Sequence, residues 1–274
     1  MAEQTILVTG STDGIGKATA HALSRQGHRV LLHGRNPEKG RRVIAEQEEA
    51  TGSDRLDLFI ADLSVQERVR GLAEEIAGAY DRLDVLVNNA GVFMPEREVA
   101  PGGIEMTFAV NFLSQVLLTH KLLPLLERST PARIVNVASI AHRSVGSIEW
   151  GNLPGFSRYE PYEAYAISKV GVIAFTARLA RALEGTGVTA NSLHPGVIDT
   201  NLLRAYIHGG NEGAPPERGA EVVTFLATSP EAGTMNGGYF EETRWTQPSS
   251  LALDAGVQER FWEAGLGLTG IGQW

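Results

Sequence analysis

The sequence predicts a single doubly wound α/β domain over residues 1–274. Two observations carry that reading. Short apolar runs rich in β-formers alternate with longer segments of helical periodicity, the pattern of a parallel sheet with crossover helices. A glycine-rich loop, residues 10–16, stands directly between the first run and the first helical segment.

Taken in order, TILVT (5–9) leads through that loop into a helical stretch over 15–26, and RVLLH (29–33) precedes one over 38–50. LDLFIA (56–61) precedes 65–79, LDVLVN (83–88) precedes 105–127, RIVNVA (133–138) precedes 162–183, and VTANSLH (188–194) follows. Several runs are apolar almost without a break, as strands covered by helices on both faces are. Two irregular segments interrupt the alternation. Residues 140–161, rich in Gly, Ser and Pro with Trp150, Phe156 and Tyr159, are expected to be an insertion at a substrate pocket. Residues 197–216 are expected to form a substrate lid: Leu202, Leu203, Tyr206 and Ile207 fall at helical spacing before HGGNEG. A helix packed permanently on the core is the alternative for that segment.

Composition narrows the function classes. Hydrophobic residues make up 43% of the chain, enough for a sizeable core. The net charge is −8 and no basic run exceeds Arg41-Arg42, which argues against nucleic acid or an anionic membrane as a partner. Without cysteine, the chain has no disulfide, thiolate nucleophile or cysteine metal site. The opening MAEQTILVTG has too short an apolar stretch for a signal peptide, and no segment is expected to reach the length of a membrane span. A cytoplasmic protein is the expectation. No metal site is expected either, because none of the seven histidines stands in a compact ligand spacing.

The loop TGSTDGIG places Gly10, Gly14 and Gly16 where a strand hands over to a helix. Gly10 permits the tight exit, Gly14 lets the backbone approach a pyrophosphate, and Gly16 allows close packing, while free N–H groups at the helix start attract the anion. This is the chemistry of dinucleotide binding. About twenty residues further on, an NAD-preferring fold offers an acid to the adenosine ribose. Here the position reads HGRN: Gly34 has nothing to offer, whereas the planar fork of Arg35 suits a 2′-phosphate. The balance favours NADP; Asp13 in the same loop counts against it and keeps NAD open. Downstream, Tyr165 precedes Lys169 by four positions, which sets a phenol and an ammonium on one helix face.

These residues, with others in the same order, resemble the short-chain dehydrogenase/reductase family over nearly the full chain. Its cofactor loop is matched by TGSTDGIG, which implies contacts from Gly10, Ser11, Thr12, Gly14, Ile15 and Gly16. ADLS implies Asp62 and Leu63 at the adenine, and NNAG at 88–91 implies Asn89, Ala90 and Gly91. Asn111 in VNFLSQVLLT, Ser139 in IVNVAS, and Tyr165 and Lys169 in YEAYAISK match the family's catalytic tetrad. HPGVIDT at 194–200 implies Pro195, Gly196 and Val197 beside the nicotinamide, with Thr200 on its carboxamide. LLTHKLLP, SIAHR and GGYFEE are similar to the branch that holds the retinol dehydrogenases and the WW-domain oxidoreductase.

The resemblance implies a division of labour. A carbonyl that accepts a hydride at carbon must gain a proton at oxygen, so the site needs an acid and a polarising donor. Tyr165 is the implied acid, its pKa lowered by Lys169 together with the nicotinamide charge; Lys169 and Tyr165 also touch the cofactor, Asn111 holds a relay water, and Ser139 donates to the substrate oxygen. Phe93, Met94, Trp150, Tyr159, Tyr162 and Tyr206 are candidate pocket walls, and His142 and His194 lie close enough to the expected pocket to be candidates for touching substrate. The implied function is an NADP-dependent oxidoreductase acting on an apolar small-molecule carbonyl or alcohol. Pairing into a homo-oligomer through 105–127 and 162–183 is left open. Two other readings stand beside it: a non-catalytic dinucleotide-binding regulatory or scaffold protein, and an epimerase or lyase with tightly bound NAD.

Overall fold

The computed structural model describes residues 3–153, 158–207 and 213–274. Eight strands form one sheet in the order β3-β2-β1-β4-β5-β6-β7-β8. They are β1 (Thr5–Val8), β2 (Arg29–Gly34), β3 (Leu56–Ile60), β4 (Val85–Asn88), β5 (Ala132–Val137), β6 (Val188–His194), β7 (Tyr239–Glu241) and β8 (Arg244–Trp245). β1 to β7 pair in parallel, and only β8 runs antiparallel to its neighbour. Leu7 lies opposite Leu31 of β2 on one side and Leu86 of β4 on the other.

Side chains alternate across a strand, so each face of this sheet needs its own apolar cover. Leu7, Leu31, Leu86 and Ile134 point into one buried cluster, while Ile6, Val8, Val30, Leu32, Val85, Val87 and Val135 point into another. That explains the uninterrupted apolar runs. The second cluster is roofed by α1 (Gly14–Arg25), α2 (Pro37–Thr51) and α8 (Pro216–Thr228), the first by α3 (Gln66–Ala79), α5 (Ser114–Arg128), α6 (Pro161–Ala182) and α10 (Ala255–Thr269). Between β4 and α5 the chain makes a short α4 (Met106–Phe108) and then a π-helical turn at Ala109–Leu113.

The strands read from the sequence are present, with β4 starting two residues later than its run. α8, α10, β7, β8 and the short α9 (Ser250–Leu253) add to that reading. One expectation is corrected. The continuous helical stretch Met106–Arg128 is 23 residues long with a mean hydropathy of 1.2 over its most apolar window, enough to cross a bilayer by length and composition. Most of that window is buried within the fold, as in a core helix.

The irregular segments acquire partial shape. Within 140–161 lie 3-10 turns at Ile140–Ser144 and Trp150–Asn152; residues 154–157, including Phe156, lie outside the described residues. Within 197–216, α7 (Asn201–Tyr206) follows a backbone exchange in which Ala214 N–H donates to Val197 O at 2.8 Å and Asp199 N–H to Ala214 O at 2.8 Å. Residues 208–212 of the expected lid lie outside the described residues.

Candidate active site

Strand order reverses between β1 and β4, so the loops at their carboxyl ends diverge and leave a crevice. A cavity of about 580 Å³ fills it. One end is formed by Gly10, Thr12, Gly14, Ile15, Gly16, Arg35, Asp62 and Leu63, and the other by Ser139, Tyr165, Lys169, Pro195, Gly196, Val197 and Thr200, with Asn89, Ala90 and Gly91 between.

The glycine loop is shaped by steric demand. Gly10 has φ +65°, a conformation that favours glycine. A Cβ on Gly16 would lie 2.3 Å from Gly10 O and 2.4 Å from Asn89 Nδ2, so the helix start can approach the loop only without a side chain. Asn89 braces the same turn, donating from Nδ2 to Thr9 O at 2.8 Å. The cradle, the start of α1 and the basic rim fit a nicotinamide dinucleotide. Arg35 is exposed at this rim and forms no salt bridge among the described residues. Asp13 is already engaged: Oδ1 accepts from Gly14 N at 2.8 Å, and Oδ2 accepts from Lys39 Nζ at 2.6 Å and Asn201 Nδ2 at 2.8 Å. Burial works to raise the Asp13 pKa, but the Lys39 ammonium and the Gly14 N–H outweigh it and hold the carboxyl below its ordinary value. The acid that counted against a 2′-phosphate is thus neutralised by a lysine that also lines the cavity.

Ser11 stands apart from the other expected contacts of the loop. It is fully buried behind the loop, where its Oγ accepts from His33 N at 2.8 Å, and it does not line the cavity. His33, unremarked in the sequence, proves central to the loop. Its Nδ1 accepts from Gly10 N at 3.1 Å, which leaves the proton on Nε2 to bond Ala61 O at 3.1 Å. One imidazole therefore staples the ends of β1, β2 and β3, and burial pulls its pKa down to about 4.

At the chemical end, α6 presents Tyr165 and Lys169 one turn apart, both buried. Burial pushes the phenol up to about 12, against a hydrogen bond with Ser139, and burial pulls the ammonium down to about 8. Lys169 Nζ donates to Val137 O at 2.9 Å and sits 5.6 Å from the centre of the Tyr165 ring. In the free chain burial therefore outweighs the other influences on the phenol, and the Lys169 ammonium is turned toward a carbonyl. Ser139 caps the 3-10 turn after β5, its Oγ accepting from Ala141 N at 3.2 Å, which leaves the hydroxyl hydrogen to point at the Tyr165 oxygen and the space beside it.

Asn111 lies in the π turn, not at a helix cap. Its Oδ1 accepts from Val92 N at 2.7 Å and its Nδ2 donates to Val92 O at 2.9 Å and Ser168 Oγ at 3.2 Å. It is fully buried and does not line the cavity, so in this state it clamps the loop after β4 to α6.

The expected pocket walls divide. Phe93, Met94 and Tyr206 line the cavity with His194. Tyr162 stands behind them, its ring 5.3 Å from Phe93 and 4.9 Å from Tyr206, with its hydroxyl donating to Tyr206 O at 2.9 Å. Trp150 instead packs on Phe261 at 5.2 Å, and Tyr159 donates to Met94 O at 2.6 Å from beside a second, smaller cavity. His142 is wholly buried behind Ser139 and touches no part of the main cavity.

A dinucleotide cradle that runs into a half-buried Ser and a buried Tyr and Lys describes a nicotinamide-dependent redox enzyme. Comparison with known proteins makes the class specific. The profile of the short chain dehydrogenases matches residues 4–209. Retinol dehydrogenase 13 of Homo sapiens is 36% identical over 282 residues, covering 98% of this chain and 85% of its own. Polyprenol dehydrogenase of Mus musculus is 37% identical over 281 residues, covering 97% and 84%. Among solved structures, an uncharacterised protein from Mycobacterium paratuberculosis superposes with a TM-score of 0.82 at 28% identity, covering 98% of this chain and 94% of that one. The Pseudomonas aeruginosa RhlG/NADP complex gives 0.72 at 26% identity, covering 94% and 97%. The chain belongs to the short-chain dehydrogenase/reductase family. It is an NAD(P)-dependent oxidoreductase acting on CH–OH and C=O groups.

Proposed function

We propose that this enzyme uses NADP and acts on a carbonyl or alcohol of apolar character. The observation that carries the proposal is the continuity of one cavity from the Arg35 and Lys39 rim to Tyr165, past Phe93, Met94 and Tyr206. When bound, the cofactor supplies or accepts the hydride. Tyr165, kept neutral by burial, gives its proton to the substrate oxygen; Ser139 donates a second hydrogen bond to that oxygen, and Lys169 carries the site's positive charge and would hold the ribose. Asn111 keeps the loop after β4 and the catalytic helix in register. Gly10, Thr12, Gly14, Ile15 and Gly16 would hold the diphosphate, Asp62 and Leu63 the adenine, and Thr200 the carboxamide. Relatives named for retinol and polyprenol, both apolar alcohols, support the apolar pocket.

The test compares coenzymes across a panel of ketones, aldehydes and alcohols. Arg35→Ala should raise the KM for NADPH by about tenfold to a hundredfold, the worth of one charge-assisted contact, and leave that for NADH nearly unchanged. Equal effects on the two coenzymes would remove the 2′-phosphate from the proposal.

A further inference from the structure

We infer that His142 is a positioning residue for Ser139, and that through it the C-terminal segment helps set the geometry of the reaction. This rests on the oxidoreductase reading of the site. His142 is wholly buried. Its Nε2 faces the backbone N–H of Ser249 at 3.0 Å, and an amide nitrogen can only donate. Nε2 must therefore be the bare nitrogen and Nδ1 must carry the proton. That proton points at Ser139 O, with Nδ1 2.7 Å away. The tautomer is fixed by the partners, and burial lowers the pKa, which keeps the ring neutral.

The consequence falls on Ser139. Its residue sits at the hinge between β5 and the 3-10 turn, extended at φ −162° and ψ 152°. The peptide that carries its carbonyl also begins the turn, so a short bond at that carbonyl fixes where the Ser139 Oγ projects into the cavity. The imidazole is held on its other side by an edge-on contact with the Tyr239 ring, centroids 4.9 Å apart. Three distant parts of the chain converge on one ring: the loop after β5, strand β7 and the segment before α9. None of them needs the histidine to touch substrate.

Asparagine and glutamine substitutions separate the two halves of the arrangement. In His142→Asn the side-chain amide falls near the position of Nδ1, and in His142→Gln it falls near that of Nε2. His142→Ala should lower kcat about tenfold to a hundredfold, the scale of a misplacement near 1 Å, with the KM for NADPH unchanged. His142→Asn should recover most of kcat, and His142→Gln should not. Equal kcat in all three variants, or a loss that appears in the cofactor KM instead, would overturn the inference. A second pair tolerates poor folding of these variants. Ser249 has φ −61°, which proline adopts, so Ser249→Pro removes the donor to Nε2 while Ser249→Ala keeps it and deletes only the hydroxyl cap. Ser249→Pro should turn over several-fold more slowly than Ser249→Ala; equal rates would count against the coupling. A third measurement needs no turnover. Nitrogen-15 NMR of the labelled imidazole should show the Nδ1–H tautomer in the native protein, even if the substrate panel is silent, and the Nε2–H tautomer would overturn the arrangement by itself.

Discussion

Tyr165 and Lys169 were legible because their relation is local: four residues on a helix place two side chains together whatever the rest of the fold does. Their electrostatics were not legible, since both shifts come from burial by residues far away in sequence. A phenol near 12 stays protonated at neutral pH, the state a proton donor needs. Tyr165→Phe should therefore keep NADPH binding, followed by fluorescence titration, and lose roughly 10²- to 10⁴-fold in kcat; activity within tenfold of the parent would move the donor elsewhere. His33 shows the opposite case, a functional strut with no sequence signal because its partners, Gly10 and Ala61, are contributed by neighbouring strands. Its pKa is near 4 folded and near 6.5 unfolded, so the unfolded chain binds more protons between those values. Stability is then full above about pH 6.5 and falls as pH drops toward 4, by on the order of 3 kcal/mol for this one group. Urea midpoints measured from pH 4 to 7.5 should show that slope, and His33→Asn should flatten it; an unchanged slope would assign the acid sensitivity to other histidines such as His194.

Elements were legible in proportion to their length and regularity. β1 to β6 announced themselves because most are covered on both faces and carry apolar runs that alternate with helical periodicity. β7 has three residues and owes its existence to pairing with Ser192, Leu193 and His194, which no local pattern reveals. α10 was hidden by its glycines. Gly265 lowers helix propensity, yet its missing Cβ would lie 3.3 Å from both methyls of Val116, so packing decides against propensity there. The segment 197–216 is helical at Asn201–Tyr206, as its apolar spacing suggests, and its role as a mobile lid is a proposal. α7 has no buried residue and is tied at its start by Asn201 to Asp13 and at its end by Tyr162 to Tyr206. An element held by a few polar ties and ring contacts belongs to the low-stability part of a fold. Amides of 202–207 should exchange quickly in the free enzyme and gain protection when NADP and a substrate analogue are both bound; full protection in the free enzyme would make α7 a fixed wall.

For the molecule as a whole, α10 settles against the central helices. Phe261 packs 5.5 Å from Phe112, Trp262 stacks 5.7 Å from Phe175, and Trp274 closes on Phe175 at 5.6 Å. From Tyr165 to Ala180 no residue of α6 is exposed, so that stretch has no free face for a second chain. Light scattering at micromolar concentration should give the mass of one chain; a dimer would mean that another surface pairs. The reversal of strand order has a different kind of consequence. It places the end of the cavity proposed for adenosine on β1 to β3, within the first 63 residues, and the proposed reacting groups on loops and helices after β4. On that proposal coenzyme preference and substrate choice are inherited on separate stretches of the gene, and selection can revise one while leaving the other intact. Asp13 and Asn201 meet across that divide, so a change at either would be felt on both sides of it.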